Sequence, residues 1–162
     1  MIPKTIMPYF DTTHQKMDSE NTQIEGILTC CSSHDFEIGA VGEIKNSILS
    51  KMYLLPENGK IALDARCKKC GKVIPAFDSD YNDYVCCEKK IHHGSTAAKP
   101  IKCKKCGDNN FSVGLRYEYP DIQELTNLGI VEADTAFTWV WVTLKCNRCG
   151  TRYKNFIDFE ME

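Results

Sequence analysis

Residues 103–119 read CKKCGDNNFSVGLRYEY, and residues 137–153 read FTWVWVTLKCNRCGTRY. Each stretch sets a Cys-x-x-Cys-Gly pentapeptide, Cys103 to Gly107 and Cys146 to Gly150, beside an alternating apolar run. A third copy stands at Cys67-Lys-Lys-Cys70-Gly71. Two cysteines three apart can aim both sulfurs at one point from a tight turn. The glycine that follows supplies the positive φ that turns backbone N–H groups back toward the sulfurs. One copy is weak evidence. Three, each with its glycine, are strong.

The flanking runs read as strands. Phe111 to Tyr119 alternates apolar and polar residues, the pattern of a strand with one buried face. Phe137 to Leu144 is a second strand running into Cys146, and Tyr153 to Phe159 a third. Phe137, Trp139 and Trp141 fall at alternate positions, as do Tyr117 and Tyr119, and aromatic alternation of this kind reads as core. Between the first two strands, Pro120 and Asp121 open a short helix. Asp121 and Glu124 stand at capping-box spacing, and Gly129 is the stop. Thirty-nine residues separate Cys106 from Cys146. The two pairs close into one tetrahedral four-cysteine metal site made of Cys103, Cys106, Cys146 and Cys149.

The first half repeats this plan. Cys31-x4-Phe36-x-Ile38-Gly39 matches Cys106-x4-Phe111-x-Val113-Gly114, and Arg66-Cys67-x2-Cys70-Gly71-x5-Phe77 matches Lys145-Cys146-x2-Cys149-Gly150-x5-Phe156. The offsets are 75 and 79 residues, so the segment linking them differs by only four. This is an internal repeat. It assigns Cys31, Cys67 and Cys70 to a second metal site and sets Leu28 where Cys103 stands in the other copy. The fourth ligand is therefore open among Cys30, His34, Cys86, Cys87 and His92. A rival site, Cys67-x2-Cys70-x15-Cys86 followed by His92, has the spacing of a compact three-cysteine, one-histidine finger. Lys51 to Leu55 and Lys60 to Leu63 flank Glu57-Asn58-Gly59, an Asn-Gly hairpin signal.

Both halves resemble the zinc-ribbon superfamily, over roughly residues 25–85 and 100–162. The resemblance implies a mainly β, small metal-bound fold: two tandem zinc-ribbon-like modules of antiparallel strands, with a short helix inserted in the second. The expected organisation is an N-terminal arm or extra strand over 1–24, a first module over 25–85 with a degenerate first knuckle, a linker with a Cys/His cluster over 86–99, and a second module over 100–162. Structural Zn2+ is the implied cofactor. A ribbon of about 60 residues buries too little apolar surface to fold robustly unaided, so the second module is expected to depend on its metal.

Ten cysteines in 162 residues mean disulfides in a secreted chain or metal in an intracellular one. Residues 1–16 hold no long apolar run and no small-residue cleavage site, and no stretch approaches eighteen apolar residues. A cytoplasmic protein that spans no membrane is expected. Charge is uneven: residues 66–105 hold ten Lys/Arg against four Asp/Glu, and both flanks are acidic. This basic segment solvates the knuckles and offsets thiolate charge; alternatively it tracks phosphates.

Four cysteine ligands leave no coordination position for water or substrate. The chain carries no Ser/His/Asp constellation, phosphate-binding glycine loop or His-Glu-x-x-His. His92-His93 reads as part of a solvated linker. No catalytic or small-molecule-binding residues are assigned, and the chain is expected to be a zinc-binding adaptor with a protein partner. The alternative is a nucleic-acid-binding or transcription-associated zinc ribbon.

Overall fold

The alternation at 111–119 makes β9 (Phe111–Pro120), a strand with one face wholly in the core. Phe111, Val113, Leu115, Tyr117 and Tyr119 are buried, and the residues between them are half-buried. These belong to a computed structural model that describes residues 2–17, 21–47, 51–80, 98–129 and 137–161. Along one edge of β9 runs β10 (Trp139–Cys146), paired from Trp139↔Glu118 to Cys146↔Phe111. β11 (Arg152–Glu160) returns along β10, with a bulge between Val142 and Leu144. Asn155 takes a φ of 52° near that irregularity, a conformation asparagine tolerates better than most residues.

The other edge of β9 takes strands from the first half of the chain. β2 (Asn21–Leu28) pairs with it from Asn21↔Pro120 to Ile27↔Gly114, and β1 (Phe10–Met17) lies outside β2. β3 (Phe36–Val41) joins at Phe36↔Phe111. It carries β6 (Ala62–Cys67) and, beyond that, β7 (Val73–Asp78). The short β8 (Lys99–Pro100) also lies on β3. All these pairings are antiparallel, and the nine strands form one sheet. The sheet curls into a half-barrel, so that Phe77 on β7 meets Phe159 on β11 with ring centroids 5.2 Å apart. One apolar cluster fills the curl, with Leu28, Phe36 and Ile74 from the first half and Leu115, Val142 and Phe156 from the second.

Three expectations are corrected or refined here. The Asn-Gly turn forms, with φ of 52° at Asn58 and 76° at Gly59 and reciprocal backbone bonds between Glu57 and Lys60. The strands it was expected to join part beyond that bridge. β5 (Met52–Leu55) pairs instead with β4 (Glu43–Asn46) in a separate two-stranded sheet, while Ala62–Cys67 goes to β3 and β7. The tryptophans do not line the core. β10 begins only at Trp139, after a bend at Thr138, so Phe137 is buried against Tyr117 at 5.1 Å. Trp139 and Trp141 take the opposite, half-buried face, because Val140, Val142 and Leu144 occupy the inner one. There the indoles stack at 5.6 Å, and the Arg116 guanidinium lies 4.1 Å from the Trp141 ring centre. The helix is short, α1 (Ile122–Asn127), with Asp121 Oδ1 accepting the Gln123 amide at 2.8 Å and Gly129 following at a φ of 76°.

β1 is held to the sheet at one close approach. Gly26 is buried opposite Thr12, and a Cβ there would run into the Asp11 carbonyl oxygen and the Phe10 ring. Gly26→Ala should cost about 1–3 kcal/mol through this overpacking. Each kcal/mol should lower the thermal midpoint by roughly 2–4 °C in a chain of this size. Thermal unfolding with amide exchange along β1 checks it; an unchanged midpoint and unchanged protection would contradict the packing.

Candidate metal centres

The three Cys-x-x-Cys-Gly segments adopt one turn. The glycine N–H donates to the carbonyl of the first cysteine: Gly71 to Cys67 at 2.8 Å, Gly107 to Cys103 at 2.8 Å and Gly150 to Cys146 at 2.9 Å. The first cysteine's own N–H closes the turn on the carbonyl after the glycine, that of Lys72, Asp108 or Thr151, at 2.7–2.8 Å. All three glycines have φ of 74–75°, and nothing lies within 4 Å of a Cβ placed on them. Their requirement is therefore conformational rather than one of space. The first cysteine of each turn is buried, Cys67 and Cys146 at the ends of β6 and β10.

Two such turns face each other in the second cluster. Cys103 Sγ lies 3.6 Å from Cys149 Sγ, and Cys106 Sγ lies 3.6 Å from Cys146 Sγ. All four sulfurs lie within 4.8 Å of one another. Four sulfurs bound tetrahedrally at about 2.3 Å from an ion stand about 3.8 Å apart, whereas a disulfide bond is about 2.0 Å long. These spacings fit a shared cation and not a bridge. Tyr153 Oη lies 3.2 Å from Cys103 Sγ and accepts the Lys104 amide at 2.9 Å, which leaves its proton for the sulfur. Thr151, through its hydroxyl and its backbone amide, holds the Cys149 thiol down at about 6. The Asp108 amide draws Cys106 down too, but burial and the three neighbouring sulfurs push it up to about 12. Four adjacent thiolates repel one another, so a cation is what lets the whole set ionise.

The first cluster is Cys30, Cys31, Cys67 and Cys70. Cys30 supplies the fourth sulfur that the repeat left open. Its Sγ lies 3.7 Å from Cys70 and 3.8 Å from Cys31. It therefore stands to Cys70 as Cys103 stands to Cys149, although the alignment set Leu28 at that position. The local geometry explains the mismatch. Cys30 and Ser33 exchange two backbone hydrogen bonds, of 3.0 and 2.9 Å, across Cys31 and Ser32, whose φ angles are 55° and 54°. This two-residue turn, with positive φ at both central positions, replaces a knuckle and delivers adjacent sulfurs to one point. Burial, with the neighbouring Cys70 and Cys67 sulfurs, pushes Cys30 up to about 12, while the Lys72 amide holds Cys70 down at about 7. His34 is turned elsewhere, its Nδ1 3.0 Å from the Leu28 carbonyl oxygen. Cys86, Cys87 and His92, and with them the finger alternative, lie outside the described residues.

The two clusters sit at one end of the sheet and share a polar clasp. The Asn147 side-chain amide donates to the His34 carbonyl at 3.2 Å, to Asp35 Oδ1 at 3.1 Å and to Asn110 Oδ1 at 2.8 Å. Knuckle lysines are drawn into the same end. Lys68 Nζ reaches Asn109 Oδ1 at 3.4 Å, Lys69 Nζ reaches the Cys31 carbonyl at 3.1 Å, and Lys72 Nζ lies 4.8 Å from the centre of the Tyr9 ring. Neither Tyr153, Thr151 nor Asn147 was singled out from the sequence, because each acts through a contact that no spacing rule encodes.

No protein-family model, curated protein or solved structure matches this chain. The chemistry therefore rests on the two sulfur clusters themselves, which could each bind a metal ion.

The Tyr153 hydroxyl supports a ligand sulfur and satisfies a backbone amide at once. Tyr153→Phe should weaken metal retention at the second cluster by about 10–100-fold, as loss of an outer-shell partner does. The first cluster should be unaffected. Competition titration with a chromophoric chelator measures this, and equal retention in variant and wild type would remove Tyr153 from the site.

Proposed function

We propose that this chain is a structural zinc protein that holds two Zn2+ ions, one in each four-cysteine cluster, and serves as a protein-interaction or adaptor module. The observation that carries the zinc reading is the sulfur spacing of 3.6–3.8 Å in both clusters, close to the edge of a tetrahedron around zinc. The three superimposable knuckle turns support a zinc-ribbon ancestry for both halves, with the ribbons merged through the shared sheet. Four sulfurs fill a tetrahedral shell, which supports a closed, non-catalytic role for each ion. All eight described cysteines are free thiols, and keeping them so suits the reducing cytoplasm. Among the described residues no helix is long and apolar enough to cross a membrane.

The stacked tryptophans on the outer sheet face support the adaptor reading. Trp139 pairs across the sheet with Glu118 and Glu160, and its indole N–H donates to Asp158 Oδ1 at 2.6 Å. A half-exposed aromatic pair with three carboxylates and the single Arg116 guanidinium about it suits a protein surface better than a phosphate backbone. A second reading, nucleic-acid binding through the basic segment 66–105, draws on the lysines gathered at the knuckle end. Lys68, Lys69 and Lys72 have partners within the protein. Two four-thiolate zinc centres would also each bring about two negative charges to that end.

Native mass spectrometry of the reduced chain should find two zinc ions. Structural zinc contributes about 10–16 kcal/mol per site in small peptides, against whole-domain stabilities of roughly 5–15 kcal/mol. Chelation should therefore abolish the cooperative thermal transition. A metal-free chain that melts sharply near the zinc-loaded temperature would refute the structural role. For the partner class, a labelled single-stranded oligonucleotide should not bind even at low ionic strength. Binding that falls steeply with salt would install the second reading in place of the first.

A further inference from the structure

We infer that Cys31 is a modification site, the one sulfur through which a hydroperoxide opens the first zinc centre while the second stays closed. The inference rests on the zinc reading above and adds an asymmetry between the two centres.

In the second cluster the outer sulfurs, Cys106 and Cys149, are half-buried; in the first, Cys31 and Cys70 are exposed. Hydrogen bonding differs in the same sense. Cys70 accepts from the Lys72 amide, Cys106 from the Asp108 amide, and Cys149 from both the amide and the hydroxyl of Thr151. Cys103 accepts from the Tyr153 hydroxyl and the amides of Cys106 and Lys105. Cys31 Sγ has the sulfurs of Cys30 and Cys70 as its hydrogen-bonding neighbours and no backbone amide. A donor on a thiolate withdraws the charge that makes it a nucleophile. Cys31 and Cys70 are thus the two exposed sulfurs of the eight, and of these two Cys31 is the one without an amide donor.

The surroundings suit an incoming reagent. Cys31 lies at the apex of the two-residue turn, not in a glycine-closed knuckle, and is exposed there. It borders an open groove of about 530 Å³ lined also by Tyr9, Asp11, Thr29, Ser32, His34 and the buried Cys30. Lys69 Nζ, 3.1 Å from the Cys31 carbonyl, adds a cation to this edge of the cluster.

The chemistry balances with a hydroperoxide as oxidant. Cys31 Sγ attacks the terminal peroxide oxygen; an S–O bond forms, the O–O bond breaks, and the alkoxide or hydroxide leaves and takes a proton from water. Cys70, whose sulfur lies within 4.8 Å, then attacks the sulfenic acid. An S–S bond forms, the S–O bond breaks, and hydroxide departs and is protonated to water. Two electrons pass from the two sulfurs to the peroxide. The zinc, left with Cys30 and Cys67 alone, loses half its ligands and dissociates.

The test uses the full chain, its zinc content measured beforehand, exposed to hydrogen peroxide with a chromophoric chelator present. One equivalent of zinc should leave at least about tenfold faster than the other. Peptide mapping at that point should place the first sulfenic label on Cys31 and the first disulfide between Cys31 and Cys70, both absent from the second cluster. Cys31→Ser should slow the early release by a similar factor. Because that variant also loses a ligand, the wild-type label map stands as an independent readout. Simultaneous release of both ions, or first labelling at Cys106 or Cys149, would overturn the inference and leave the zinc reading intact. A chain that starts without zinc would overturn both.

Discussion

Eight sulfurs drawn from segments far apart in the chain converge in two groups at one end of a curled sheet. Within each group the neighbours stand 3.6–3.8 Å apart, which is too close for four thiolates to coexist without a cation and too far for disulfides. The local turns respond to that constraint. Hydroxyls and backbone amides hold Cys149 at about 6 and Cys70 at about 7, while their buried or crowded partners Cys30 and Cys106 are pushed up to about 12. A divalent ion bound among these sulfurs would favour the deprotonated form of all four. Bound in each cluster, such an ion would tie the end of β6 or of β10 to a loop more than thirty residues away.

The sheet makes this convergence possible. β9 is the spine: β10 runs along one edge, and β2 and β3 share the other. The Phe36↔Phe111 pair sits where the two duplicated halves touch, and each phenylalanine follows its knuckle or turn by the same number of residues. Because the pairing is made at equivalent positions of the repeat, the clusters are carried to the same end of the sheet. Asn147 then bonds loops of both. A common core runs through both halves, so neither half relies only on its own sixty or so residues to exclude water.

What was legible in the sequence was local. The glycine at the fifth position of each knuckle announces a positive φ, and all three take it at 74–75°. The alternation over 111–119 announces a half-buried strand, and the repeat offsets select seven of the eight sulfurs that meet. Cys30 stood as one of five candidates for the eighth position, because its turn carries Cys31-Ser32, where a sequence signal for two positive φ angles would be asparagine or glycine. The gathering of sulfurs accounts for the cysteine at position 31. The tryptophan face was misjudged for a related reason. Alternation counts positions but does not reveal that the strand begins after Phe137, and that single offset sends Phe137 inward and Trp139 outward. The β2–β9 pairing joins residues about ninety apart in the chain, and no local pattern encodes such a register.

The two clusters differ in their turns, and the difference lies in backbone geometry rather than in the kind of ligand. A knuckle turns its amides onto its second sulfur because the glycine conformation aims them there. At Cys31 the corresponding amide, that of Ser33, bonds the Cys30 carbonyl instead. Adding a glycine-closed knuckle at residues 28–32 would bring the donors back, but it would also move Leu28 out of the core, where it is fully buried. The first centre thus exchanges protection of its sulfur for an apolar anchor next to β2. An exposed Cys31 sulfur is the direct consequence.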